Sequence, residues 1–295
     1  MIDFSPVISA VFSILGLSPL LVLSSIGILI ANKSGVFNIG VQGNIAIGTT
    51  FGILGVFFFG SIWAGLALGF LAGLAVAIVS AYLTINKPYD QLQIGFGIWF
   101  LTEGLAGFVY FMTMNSAFRV EETLPSFNGL DPIFFSTIAI TIVFYLVIHR
   151  TKYGLAVVAA GENPGAADVA GINVFRVRWI CTLVGGSLLG LAGSWFSIIV
   201  LRHFFYNMVA GYGWLAILTV IFAGFAAFPT FLAALFFSFL IGMQTRIQVY
   251  GFLPLPREII LVLPYIFGVI LLIISGVIRK KTSAPAALGH PYERE

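Results

Sequence analysis

The amino-acid sequence predicts an all-α polytopic membrane protein with about nine transmembrane helices, and counts of eight or ten also fit its pattern. The chain has 295 residues, of which 60% are hydrophobic and 8% are charged, whereas a soluble domain has about 25% charged residues. Several apolar runs exceed the ~18–20 residues that a helix needs to cross a bilayer. Residues 62–85 contain no charged side chain at all. Such long runs indicate helices rather than the short alternating strands of a membrane barrel.

The predicted spans follow one another with short connections and form one membrane domain over residues 1–278, followed by a tail at 279–295. The spans lie at about 6–31, 44–60, 62–85, 94–114, 132–148, 179–201, 212–226, 229–247 and 258–278. Gly16 and Pro19 interrupt the first span. The N-terminal residues MIDFSP lack the basic region and the small-residue cleavage site of a signal peptide, so we expect them to lead into this span.

The distribution of lysine and arginine predicts the orientation, because cytoplasmic loops are enriched in both. When the loop at 149–178 is placed in the cytoplasm, ten basic residues share its side and four lie opposite. The ten are Lys33, Lys87, Arg150, Lys152, Arg176, Arg178, Arg279, Lys280, Lys281 and Arg294, and the four are Arg119, Arg202, Arg246 and Arg257. We therefore predict a multi-pass protein of the cell membrane with this loop and the C-terminal tail in the cytoplasm.

Glycines at helical spacing predict close helix packing. Gly65, Gly69 and Gly73 recur every four residues in the third span, and Gly186 and Gly190 repeat the spacing in the sixth. Small residues along one face let two helix backbones approach each other in a membrane. The pattern predicts a compact bundle and carries no information about cargo.

The loop at 149–178 contains the signals of a short helix outside the membrane. Asn163 is a favourable N-cap, Pro164 suits the first helical position, and Gly171 suits the position just past the end. The face of this helix presents the small residues Ala166, Ala167 and Ala170. Two interpretations stay open, a docking element for a cytoplasmic partner and a surface loop that happens to contain a helix.

Residues 34–48, SGVFNIGVQGNIAIG, break the apolar pattern with four glycines and the amides Asn38, Gln42 and Asn44. Backbone groups that leave a helix are costly in hydrocarbon, so such a break persists only where protein or water satisfies them. In transporters, discontinuous helices place these groups on the transport path. We predict a discontinuous segment near residues 32–44 that lines a path for a neutral polar solute; a plain cytoplasmic loop over 32–43 is the alternative.

Glu103 falls near the middle of the fourth predicted span. A carboxylate at this depth is costly unless it is neutral, paired or facing water. Three interpretations stay open: a structural hydrogen bond, a place in the lining of the transport cavity, and proton coupling. Neither a second acid nor a histidine chain accompanies it along the span.

Residues suited to catalysis or metal binding are sparse. The chain has one cysteine, Cys181, in an apolar run, and its three histidines are scattered. Neither a disulfide nor a metal site is expected from this pattern. A membrane-embedded enzyme, which needs several reactive side chains facing one cavity, therefore has little support.

Several stretches are characteristic in combination: SGVFNIGVQG at 34–43, GLAVVAAGENPGAADVAGINVFRVR at 154–178, GYGWLAILTVIFAGF at 211–225, LPREIILVLPYIFGVILLIISG at 255–276 and APAALGHPYERE at 284–295. Together they resemble the permeases of ATP-binding-cassette (ABC) importers for simple sugars, nucleosides and branched-chain amino acids. The resemblance runs almost end to end and is closest to the shorter permease of nucleoside-type systems. Members usually carry Glu where this chain has Gln42, and the amide lacks that charge.

The resemblance implies a permease subunit that works in the lipid membrane, without nucleic acid, beside partner proteins. These partners are two ATPase subunits, a second permease that is either different or identical, and an extracellular substrate-binding protein. The cargo would be a small neutral polar solute, a nucleoside or a simple sugar. The helix in the 149–178 loop would contact the ATPase through Glu162, Asn163, Pro164, Ala166, Ala167 and Gly171.

This division of labour leaves the chain without a cofactor, since a partner would bind and hydrolyse ATP. The nearest approach to a phosphate-binding loop is GILIANKS at 27–34, which has Asn32 in place of the second glycine. The rival hypothesis is a secondary transporter that is driven by a proton gradient and uses Glu103 as the proton carrier.

Overall fold

A computed structural model describes residue 12 and residues 14–87, 89–113, 118–127, 129–205, 207–209, 211–250, 256–278 and 284–293. The start of the first predicted span and the basic residues Arg279, Lys280, Lys281 and Arg294 lie outside the described residues. The helices are α1 (Pro19–Lys33), α2 (Val41–Phe59), α3 (Ile62–Ala81), α4 (Gln91–Thr113), α5 (Pro132–Arg150), α6 (Lys152–Glu162), α7 (Pro164–Val169), α8 (Val174–Trp195), α9 (Tyr212–Phe222), α10 (Ala227–Tyr250) and α11 (Arg257–Ile278). Wider π-helical turns extend α3 over Tyr82–Asn86 and α8 over Phe196–Leu201.

The helical fold class is confirmed, whereas the count of nine spans is not. Within the described residues, seven helices are long and apolar enough to cross a membrane, and α1 and α9 are shorter apolar helices. A turn at residues 16–18 precedes α1, at the predicted interruption. The two helices α1 and α9 fall short of ~20 residues because irregular backbone adjoins each of them, at 34–40 and, among the described residues, at 202–205, 207–209 and 211.

Several helix boundaries differ from the sequence prediction. The loop at 149–178 contains two helices, α6 and α7, where we predicted one, and α8 begins at Val174 rather than at residue 179. Asn173 explains the earlier start, because its side chain accepts a hydrogen bond from the Arg176 N–H at 2.9 Å and caps α8. Likewise α10 begins at Ala227, so Pro229 lies in its first turn, where a missing N–H costs nothing.

The centre of the bundle is α8, which packs against α1, α2 and α3. The two predicted glycine rows face each other across the α3–α8 contact. A Cβ atom added to Gly190 would lie 2.2 Å from the Gly69 carbonyl oxygen, and one added to Gly73 would lie 2.4 Å from the Gly186 carbonyl oxygen. The backbones therefore touch, which confirms that these glycines form a packing seam.

Replacing Gly190 by alanine should lower the thermal stability of the purified chain in detergent. The added methyl group cannot fit without moving α3 away from α8, and overpacking of this kind costs about 1–3 kcal/mol. Gly97→Ala is a matched control, because nothing lies within 4 Å of a Cβ atom at Gly97. Equal melting temperatures for the two variants would contradict this packing.

The loops and other polar segments of the chain contact the two ends of α8. At one end, the Trp195 indole N–H donates to Asp131 Oδ2 at 2.6 Å, and the Val120 N–H donates to the Arg202 carbonyl oxygen at 2.8 Å. At the other end, Arg178 contacts residues 34 and 290. The segments after α1, the α6–α7 pair and the tail at 284–293 therefore lie together, at the end opposite the 118–131 loop.

Candidate functional site

The irregular segment at 34–40 separates α1 from α2, and amide side chains satisfy part of its backbone. The Phe37 N–H donates to Gln91 Oε1 at 2.7 Å, and the Gly40 N–H donates to Asn38 Oδ1 at 2.8 Å. These hydrogen bonds meet the requirement that a buried break imposes on its freed donors. The half-buried Asn38 side chain therefore stabilises the turn that leads into α2, because its oxygen accepts the Gly40 N–H.

The N-terminus of α2 meets the N-terminus of α9 at Gln42. The Gly213 N–H donates to Gln42 Oε1 at 2.9 Å across 171 residues of sequence. A Cβ atom on Gly213 would lie 2.7 Å from the Gln42 Cα atom, so glycine is required for this approach. Both helices begin at a glycine N-cap, Gly40 and Gly211, without a side-chain cap. Because helix N-termini carry unpaired donors and partial positive charge, Gln42 supplies a buried acceptor where the backbone needs one.

Aromatic side chains lie beside this junction. Trp99 of α4 and Trp214 of α9 meet edge to face with ring centroids 5.2 Å apart, and Phe96 lies 6.2 Å from Trp99 and 6.3 Å from Trp214. Gly43 places the α4 backbone against α2, since its Cβ atom would lie 2.9 Å from the Trp99 Cα atom. All three rings are partly exposed. The junction therefore combines amides with an accessible aromatic surface.

Glu103 lies one turn beyond Trp99 on α4. The residue is half-buried, and its Oε2 atom has no hydrogen-bond partner among the described residues. The structure thus brings Glu103 to the edge of the aromatic group.

Asn44 lies apart from the junction. It is 0% exposed, and its Nδ2 atom lies 3.4 Å from where a Cβ atom on Gly186 of α8 would stand. Neither amide atom of Asn44 finds a hydrogen-bond partner among the described residues. Asn38 and Gln42 therefore belong to one neighbourhood, while Asn44 faces the α2–α8 contact.

The short helix α7 forms as its sequence predicts. Asn163 Oδ1 accepts the Ala166 N–H at 3.0 Å, and Pro164 occupies the first turn. Gly171 follows the end of the helix with φ +85°, a backbone conformation that side chains with a Cβ atom rarely adopt. Both ends of α7 are thus fixed by the residue types that the sequence provides.

The two faces of α7 differ. Ala167 is buried against Ala160 and Val174, so it holds the helix to its own protein, whereas Ala166 and Ala170 are exposed. Val169 is 93% exposed. Ala166, Val169 and Ala170 recur at i, i+3 and i+4, so together they form a small exposed apolar face on α7.

The sequence prediction missed Gly213, Trp99, Trp214 and Val169. A signal for the first three existed, because Gly213 and Trp214 belong to the characteristic stretch at 211–225 and Trp99 precedes Glu103 by one helical turn. Their assembly depends on contacts between distant parts of the chain, which spacing alone does not show.

Comparisons with known proteins agree with this architecture. Residues 10–275 match the family described as branched-chain amino acid transport system / permease component. The guanosine ABC transporter permease protein NupQ of Bacillus subtilis is 29% identical over 300 residues and covers 92% of each chain. The nucleoside ABC transporter permease protein NupC of Lactococcus lactis is 26% identical over 300 residues, again with 92% of each chain covered.

A solved ABC transporter in an inward-facing conformation is similar in fold. It superimposes with a TM-score of 0.52 at 15% sequence identity and covers 92% of this chain and 86% of that chain. At this identity the likeness concerns the arrangement of the helices alone.

Proposed function

This chain belongs to the branched-chain amino acid transport system / permease component family, and from that premise we propose that it forms the translocation path for a nucleoside. As a member it is a multi-pass membrane permease subunit of an ABC importer, works with ATPase partners and is not itself an enzyme. Neither the family nor these relatives support the proton-coupled alternative.

The observation that carries the nucleoside proposal is the aromatic group beside Gln42. Trp99, Trp214 and Phe96 lie in contact with one another and are partly exposed. Aromatic rings bind nucleobases by stacking with little dependence on which base is bound. The names of two relatives that align over 92% of their length point to the same cargo class. Simple sugars are the second cargo class, because the same permease group handles them.

In the proposed mechanism, cargo from an extracellular binding protein enters a path lined by Asn38, Gln42 and Glu103. Asn44 faces the contact between α2 and α8, so it joins this path only in a conformation in which α2 moves away from Gly186 of α8. A second permease, different from this chain or identical to it, supplies the opposite wall. The neutral amides offer donors and acceptors that suit hydroxyl and base groups without attracting an ion.

On the coupling side, we place α6, α7 and the tail in the cytoplasm. The ATPase would contact the corner that begins at Glu162 and Asn163, mainly through the exposed Ala166 and Val169. Pro164 and Gly171 keep α7 in place, and Ala167 fixes it to α6. An effector shifts a conformational equilibrium only if its contacts differ between the two states, so the ATPase must hold α7 in different positions before and after ATP hydrolysis.

Uptake of radiolabelled guanosine into proteoliposomes that contain the whole transporter tests the cargo. We expect ATP-dependent uptake that unlabelled nucleosides compete away and that excess glucose leaves unchanged. Competition by glucose with no effect of nucleosides would contradict the nucleoside proposal and favour a sugar.

Replacing Glu103 by glutamine separates ATP-driven import from proton coupling. Glutamine keeps the size of the side chain and a carbonyl acceptor at this position, so we expect ATP-driven uptake within about twofold of the unmodified chain. A twofold change corresponds to less than ~0.5 kcal/mol. The assay uses proteoliposomes with a fixed ATP supply, with and without a protonophore. Loss of uptake in this variant, together with sensitivity of the unmodified chain to the protonophore, would favour the proton-coupled hypothesis.

A further inference from the structure

Residues 284–293 of the C-terminal tail form a strap across one end of the bundle, the end opposite the 118–131 loop. The Ala287 N–H donates to the Gly161 carbonyl oxygen at 2.9 Å, and the Gly289 N–H donates to the Gly35 carbonyl oxygen at 3.2 Å. A third contact runs from the Ala286 N–H to Glu162 Oε2 at 3.2 Å. A single turn of the strap is thus bonded both to the end of α6 and to the irregular segment before α2.

Arg178 fastens the strap to α8. Its side chain is 1% exposed, with Nε donating to the Ser34 carbonyl oxygen at 3.2 Å and Nη1 donating to the His290 carbonyl oxygen at 3.1 Å. The Tyr292 ring of the strap lies 5.9 Å from the Arg178 Cζ atom. A guanidinium group has a rigid fork of donors, so one buried side chain holds the break, the strap and α8 in fixed relation.

The end of α6 also touches the end of α1 directly. A Cβ atom on Gly161 would lie 2.2 Å from the Lys33 carbonyl oxygen. Glu162 and Asn163 follow immediately, and Asn163 caps α7. Four pieces of the chain therefore meet at one place: the end of α1 with the break at 34–40, the α6–α7 corner, the first turns of α8, and the strap.

We propose that the strap is part of the coupling machinery and makes the α6–α7 corner and the break at 34–40 move as one body. A displacement of α7 then reaches Gly35 through Gly161 and Ala287. From Gly35 it reaches Asn38 three residues further along the chain and Gln42 seven residues further along. This inference rests on the proposed function, because it takes α7 as the docking point of the ATPase. Packed, hydrogen-bonded groups with few alternative arrangements transmit such shifts over distance.

The proposal predicts uncoupling rather than loss of assembly when the strap is removed. In proteoliposomes of the whole transporter, radiolabelled guanosine taken up and ATP hydrolysed are measured together, and their ratio is the readout. A chain that ends at residue 283 should still assemble and hydrolyse ATP, with the uptake-to-hydrolysis ratio reduced at least tenfold. Glu293→Ala, an exposed position in the same strap, is the matched control and should keep the ratio of the unmodified chain.

Ala287→Pro provides a second variant, because it removes the N–H that bonds to Gly161 while keeping the rest of the strap. A reduced ratio in this variant supports the proposal even if the shortened chain fails to assemble. An unchanged ratio in either variant overturns it. Failure of the proposed function is distinguishable, since it shows as absent ATP-driven guanosine uptake in the unmodified chain and in Glu293→Ala alike.

Discussion

Replacing Gln42 by leucine should reduce ATP-driven uptake at least tenfold while leaving the chain in the membrane. Leucine has a similar volume but no acceptor, so the Gly213 N–H, which donates to Gln42 Oε1 at 2.9 Å, loses its partner. Leaving a buried donor unsatisfied costs about 1–3 kcal/mol. That cost falls where α2 and α9 begin, and it shifts both helices beside the aromatic group. Guanosine uptake at equal membrane content measures the effect.

Gln42→Glu is the conservative counterpart of this variant. The carboxylate keeps an oxygen for the Gly213 N–H and adds a negative charge close to two helix N-termini, where an anion is favourable by ~0.3–1 kcal/mol. We therefore expect Gln42→Glu to recover most of the uptake that leucine removes. If uptake fell equally in Gln42→Leu and Gln42→Glu, the hydrogen bond to Gly213 would not be the reason that transport needs Gln42.

Replacing Gly171 by valine should abolish uptake, because Gly171 ends α7, the proposed coupling helix. Gly171 has φ +85° at the end of α7, and a β-branched residue in this conformation is strained by about 1–3 kcal/mol. The end of α7 must then reorganise, which displaces the exposed Val169 from its proposed docking position. We expect loss of uptake with unchanged membrane content, and the same assay measures it.

Gly276→Val is a suitable control for this prediction, because a Cβ atom has open space at both positions and only Gly171 has a positive φ. The control should transport at the level of the unmodified chain. Asn163→Ala perturbs the other end of the same helix by removing the cap on the Ala166 N–H, at a cost of about 1 kcal/mol. Full uptake in both Gly171→Val and Asn163→Ala would remove α7 from the coupling route.

Local chemistry explains which parts of this fold were predictable from the sequence. Membrane helices need long apolar runs, so composition alone places them. The break at 34–40 and the ends of α7 are visible because glycine, proline and asparagine have restricted roles at helix ends. The helix α6, KYGLAVVAAGE, was missed because its short mixed sequence begins directly after a span and its cap, Thr151, carries no distinctive motif.

Contacts between distant residues were not predictable in the same way. Gln42 meets Gly213 across 171 residues, and nothing in the spacing of either segment specifies the partner. The same holds for the tail. Two prolines and a glycine in its sequence, APAALGHPYE, indicate turns, but they do not reveal that Ala287 and Gly289 bond to Gly161 and Gly35. The sequence places Ala166, Ala167 and Ala170 on the short helix α7, but it does not show which of them pack against the rest of the protein. In the structure only Ala167 does so.

Site-directed crosslinking from α7 tests the central claim, that this helix is where the ATPase docks. Cys181 is buried, so in gently solubilised complexes a single introduced cysteine can react selectively with the maleimide of a maleimide–benzophenone reagent, whose photoreactive end then bonds to any protein in contact with it. Val169→Cys probes α7, and Phe127→Cys, also strongly exposed at the opposite end of the bundle, is the control. We predict that Val169→Cys links to a co-purifying ATPase with a phosphate-binding loop and Phe127→Cys does not. A link from position 127 alone, or none to an ATPase from position 169, would contradict the account.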